Sequence, residues 1–149
     1  MKLNTASAVV SFCRQLEEDW AKFYEGLAQK YYRGSETFLS FARENRRNIV
    51  DIERAYYGVI SDALEGCFSF DIDIDNSMFK TELSEGTSYS DVVHGALAIE
   101  DRIMKFYLDA AEQSKALMAD VPRVFQKVAK KRTERKAKLQ SLTVGKEPI

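Results

Sequence analysis

Proline, histidine and cysteine are scarce: this 149-residue sequence has two prolines, one histidine and two cysteines. Both prolines come late, at Pro122 and Pro148, so nothing interrupts long helices before residue 120. Cys13 and Cys67 stand alone without a CxxC, which excludes a zinc knuckle or a rubredoxin-type iron site. Two isolated thiols suit a reducing cytoplasm. No run approaches the roughly 18 apolar residues of a membrane span, and MKLNTASAVVSFCRQLEEDW reaches charge too soon for a signal peptide. A cytoplasmic protein without membrane partners is therefore expected. Net charge is also lacking: 22 basic side chains face 23 acidic ones, giving -1 and no global attraction to polyanions. What remains is 45% hydrophobic and 30% charged, the composition of one ordinary globular domain.

Apolar periodicity supplies the architecture. Val10, Cys13, Glu17, Trp20, Tyr24, Leu27 and Tyr31 recur at steps of three and four, the stripe of one helix face. Gly34 stops that helix and Ser35 can cap the next, whose stripe is Phe38, Phe41, Asn45, Asn48, Ile52, Ala55 and Val59. A third stripe runs Val93, Ala96, Glu100, Ile103, Tyr107, Ala110, Ser114 and Leu117, capped by Ser88 or Ser90. Asp120 caps a fourth helix with Pro122 in its first turn; its stripe is Val121, Phe125, Val128, Arg132, Arg135, Leu139 and Leu142. The expected helices cover 7–33, 36–65, 90–118 and 121–141.

Between the second and third helices, Phe68, Phe70, Ile72 and Ile74 alternate with small or acidic residues, but a single strand without a partner makes no sheet. Helices of about 28 residues are about 42 Å long, and about 13 extended residues cover that distance. Segment 66–89 can therefore return along the whole bundle, while the other linkers are short enough to force antiparallel neighbours. The expected fold is all-α: two antiparallel helical hairpins joined by a long crossover. An internal repeat fits this division. LEEDWAKFYEGLAQK (16–30) aligns with IEDRIMKFYLDAAEQ (99–113), and FLSFARENRRN with FQKVAKKRTER, placing Glu17 on Glu100, Asn45 on Arg132 and Asn48 on Arg135.

Each stripe carries polar residues at inward positions near its middle: Glu17, then Asn45 and Asn48, then Glu100, then Arg132 and Arg135. Isolated charges in a core cost several kcal/mol, about 3–5 when a partner is missing, so these are expected to gather in one layer and pair. Arg132 and Arg135 have a second reading, as cations of a basic helix that snorkel outward. His94 lies about 9 Å along the axis from Glu100 and on another face, so it reads as a surface histidine. Cys13 reads as a small buried hydrophobe, and Tyr24, Tyr107, Trp20 and Phe23 as core.

One inward Glu on each of helices one and three, seven residues before a Tyr, with paired positions three apart on helices two and four, resembles the rubrerythrin branch of the ferritin-like superfamily. The resemblance spans residues 7–141. It implies a bundle that holds two iron or manganese ions with a Glu from each of two helices and a Glu-x-x-His from each of the others. Glu17 and Glu100 match the single glutamates, and Tyr24 and Tyr107 would lie behind the ligands. Asn45, Asn48, Arg132 and Arg135 occupy the four remaining ligand positions and depart from the pattern. Glu17 and Glu100 already balance the two arginines. A divalent ion about 6 Å from a guanidinium would meet roughly 5–6 kcal/mol of repulsion at an effective dielectric of about 20.

The expectation is a ferritin-like scaffold or binding module, dimeric and non-catalytic, with no catalytic residue and no cofactor, serving an unidentified protein or small molecule. The alternative is an iron- or manganese-dependent oxidoreductase, peroxidase or iron store that recruits Glu44 and Glu134 as substitute ligands. A third reading, nucleic-acid binding through basic helix four, is disfavoured because that helix lacks interleaved exposed aromatics.

Overall fold

The computed structural model describes residues 1–59, 70–75, 77–80, 87–115 and 120–144. It is all-helical, with four long helices and almost no strand: α1 (Ala6–Lys30), α2 (Ser35–Val59), α3 (Tyr89–Ser114) and α4 (Asp120–Val144). Gly66, Cys67, Phe68 and Leu117 lie outside the described residues.

Local chemistry sets the helix ends. Thr5 caps α1 by accepting a hydrogen bond from the Ala8 amide at 3.1 Å, and Ser88 caps α3 by accepting from Asp91 at 3.1 Å. α1 stops at Lys30, before the expected residue 33, because Tyr31 turns to an extended backbone with φ -121°. Gly34 follows with φ +80°, a conformation open to glycine, and its carbonyl accepts the Phe38 amide at 2.9 Å. Gly34 thus takes the cap position of α2, and Ser35 is its first helical residue rather than its cap. Asp120 is the first helical residue of α4, with Pro122 within the first turn.

α1 packs on α2, α3 on α4, and α2 on α4. Across α1 and α2, Arg14 pairs with Glu53, and Arg46 with Glu18 at 3.1 Å and Glu25 at 2.6 Å. Rising numbers on one helix meet falling numbers on the other, so the pair is antiparallel. Asp101 with Lys136 at 2.6 Å and Met104 with Thr133 at 3.2 Å give the same sense for α3 and α4. The core between the four helices mixes aliphatic and aromatic side chains, and Trp20, Tyr24, Phe38, Tyr107 and Phe125 are fully buried in it.

The alternating segment does find a partner, contrary to the expectation of an unpaired strand. β1 (Lys2–Leu3) pairs antiparallel with β2 (Ile72–Asp73), with Leu3 opposite Ile72. The flanking Ile74 amide donates to the Met1 carbonyl at 2.7 Å. Phe70, Ile72 and Ile74 are buried while Asp71 and Asp73 face water, the two-residue period of a strand.

Candidate functional site

The helical stripes bring Glu17, Asn45, Asn48, Glu100, Arg132 and Arg135 together, and all six are buried. Neither arginine snorkels outward. Their stripe positions point them at the glutamates of α1 and α3, and charge pairing keeps them there.

Arg132 is the bridge. Its Nε donates to Glu100 Oε1 at 2.9 Å and its Nη2 to Glu17 Oε1 at 3.1 Å. Its Nη1 lies 2.9 Å from Glu17 Oε2 as an ion pair, but off the line of a hydrogen bond. Arg135 Nη1 donates to Glu100 Oε2 at 3.0 Å, and its Nε to Glu44 Oε1 at 2.8 Å. Its Nη2 donates to the Phe41 carbonyl at 3.0 Å and to Asn45 Oδ1. Every nitrogen of that guanidinium thus has an acceptor.

The tyrosines complete the carboxylates crosswise. Tyr107 of α3 donates to Glu17 Oε2 at 2.6 Å, and Tyr24 of α1 donates to Glu100 Oε2 at 2.6 Å. Each half of the internal repeat therefore supplies the hydroxyl for the other half's glutamate. Asn48 Nδ2 donates to Glu17 Oε1 at 3.3 Å, and Asn45 Nδ2 to the Glu17 backbone carbonyl at 3.3 Å. Aromatic faces close the layer, with the Arg135 guanidinium 5.0 Å from the Phe41 ring centre and Arg132 5.8 Å from that of Tyr107.

Electrostatics follow from burial and pairing. Burial alone would raise the Glu100 pKa, but Arg135 and Arg132 outweigh it and hold the carboxyl below its ordinary value. For Arg132, burial works against the charge, and Glu17 and Glu100 overcome it, raising its pKa further. Burial pushes both tyrosines well above the usual phenol value, with Glu100 adding to the effect on Tyr24, and Cys13 and Glu17 on Tyr107. Buried Cys13 is held as a neutral thiol, chiefly by burial and then by Glu17.

Two further residues belong to the layer. Glu44, a proposed substitute ligand, is a partner of Arg135. Lys131, which the stripe did not single out, donates to Asn48 Oδ1 at 3.3 Å from the layer's margin. Its signal in the sequence was its place one residue before Arg132, on the side that faces α2. Glu134 is exposed and apart from the layer, and so is His94, whose Nδ1 lies 3.4 Å from Ser90 Oγ.

Among the described residues no three His, Cys, Asp or Glu side chains are grouped as metal ligands. The donor set explains why: Glu17 and Glu100 aim their oxygens at guanidinium, amide and phenol protons, which are donors and not acceptors for a cation. In this array the oxygens of both glutamates are engaged by protein donors, so neither carboxylate is a free base. Among the described residues no helix is long and apolar enough to cross a membrane. No family model, curated protein or solved structure matches this chain.

Proposed function

We propose that this chain is a ferritin-like bundle in which an ion-pair layer has replaced a dinuclear metal site, and that it acts as a non-catalytic scaffold or binding module. The observation that carries the reading is Arg132, buried between Glu17 and Glu100 and bonded to both. Its charge occupies the space between the two carboxylates that would otherwise hold a cation. A divalent ion about 6 Å away would be repelled by roughly 5–6 kcal/mol per arginine at an effective dielectric of about 20. Arginine cannot relieve that repulsion by losing its proton.

The helix directions support the ferritin-like arrangement. Glu44 with Arg135 and Asn48 with Lys131 oppose α2 and α4, and α3 also opposes α4, so α2 and α3 run in the same sense. That shared sense favours a connection that returns along the bundle. Its described residues Phe70 and Phe79 meet Asn4, just before α1, and Phe12 within it, and Tyr89 at the start of α3 meets Tyr31 just past the end of α1.

Metal analysis by mass spectrometry on protein purified without chelator tests the proposal. The expected result is no stoichiometric iron or manganese. One or two tightly held ions per chain would overturn it and favour the oxidoreductase or iron-store reading.

A further inference from the structure

Several cations of this molecule reach carboxylates: Arg46 bridges Glu18 and Glu25, and Lys105 and Lys136 share Asp101. Arg43, Arg47 and Arg54 of α2 and Lys127, Lys130 and Lys138 of α4 have no acidic partner among the described residues. All six are exposed.

The two helices are packed neighbours. At 1.5 Å per residue, Arg43 to Arg54 and Lys127 to Lys138 each span about 16 Å. Packed helix axes lie about 8–10 Å apart, so the six cations form two rows on one face. Asp51 and Glu134 are interspersed, and Asp120 is already engaged by Arg123 at 3.4 Å. The face remains positive in a chain whose net charge is -1.

Leu39, Val50 and Tyr57 are the exposed apolar side chains of α2. They stand in single file about 16 and 10 Å apart by helical rise, so they form no contiguous apolar patch for a protein or lipid partner. Charge must supply the binding. A duplex presents about one phosphate per 1.7 Å of axis, which suits two rows in which six cations outnumber the interspersed Asp51 and Glu134. We propose that the α2–α4 face binds the phosphodiester backbone of a nucleic acid without reading its sequence. Helix four alone, as the sequence shows it, is half of this surface; the arginines of α2 provide the other half. The inference rests on the reading of the chain as a binding module and names its partner.

The test is fluorescence anisotropy of a labelled mixed-sequence duplex of about 20 base pairs titrated with the full chain between about 50 and 200 mM salt. Six phosphate contacts predict an affinity that falls about a thousandfold over that range. Arg43→Ala/Arg47→Ala/Arg54→Ala should lower the log–log salt slope by about three, as should Lys127→Ala/Lys130→Ala/Lys138→Ala. Lys22→Ala/Lys30→Ala on α1 should leave it unchanged, and circular dichroism confirms that each variant is folded. No binding at low salt, a slope that neither triple variant changes, or equally tight binding of polyglutamate would overturn the proposal. Each such failure leaves the metal content of the core, and the reading based on it, untouched.

Discussion

Arg132 shows how a buried charge is tolerated when it is shared. It is fully buried, yet both of its neighbouring carboxylates also accept a tyrosine hydroxyl, so no single contact bears the desolvation alone. Arg132→Met leaves Glu17 and Glu100 facing each other with much less compensation and should destabilise the fold by about 3–5 kcal/mol in urea denaturation. Adding Glu17→Gln should cost less than the sum of the single changes, because the second substitution removes a charge that the first stranded. The same layer sets a pH window. The Glu100 pKa is lower folded than unfolded, so its contribution is present above about pH 4.3 and is lost as pH falls through the depressed value. The Tyr24 and Tyr107 values are raised, so their contribution is full below about pH 10 and declines above it. Thermal melts from pH 3 to 12 should show a plateau with losses at both ends, and Tyr24→Phe/Tyr107→Phe should weaken the alkaline loss. The inward phase of all six polar residues was legible, because period and burial are properties of one helix. The partner of each was not. Tyr24 precedes Glu100 by 76 residues, and nothing local says that its hydroxyl crosses to the other half of the repeat.

Element ends obey their local chemistry more closely than element lengths do. At Gly34 an added methyl would come 2.8 Å from the Tyr89 hydroxyl, which itself donates to the Arg33 carbonyl at 3.1 Å. Gly34→Ala therefore combines a left-handed backbone with a clash and should cost at least about 1–2 kcal/mol in denaturant midpoint. Thr5→Ala and Ser88→Ala each remove a cap acceptor, and about 1 kcal/mol apiece should follow in the same assay. The glycine's breaking role was readable from sequence, whereas its taking the cap from Ser35 depends on φ. The short strand shows a similar divide. The alternation of Phe70, Ile72 and Ile74 is a local pattern, but its partner lies about seventy residues earlier, where Lys2 and Leu3 give no strand signal on their own.

For the whole molecule, charge is organised twice, as a closed layer inside and as an unbalanced face outside. The inner arrangement predicts a gain of function: Asn45→Glu/Asn48→His/Arg132→Glu/Arg135→His should bind iron or manganese measurable by mass spectrometry. Placing carboxylates and imidazoles at these positions removes both fixed cations and supplies acceptor ligands. Failure of the folded variant to bind would count against the ferritin-like ancestry. The outer face predicts the salt-dependent association with a duplex described above.

The sequence by itself determined the four helices, their buried faces and the charge types at six inward positions, since each follows from spacing along one helix. Tertiary structure alone decided which charges met. The crosswise tyrosines, the capture of Glu44 by Arg135 and the joining of the α2 arginines to the α4 lysines depend on which helices are neighbours and at what level. A net charge of -1 said nothing of this, because a sum over the chain is blind to where side chains meet, while Coulomb interactions and desolvation depend on distance and burial.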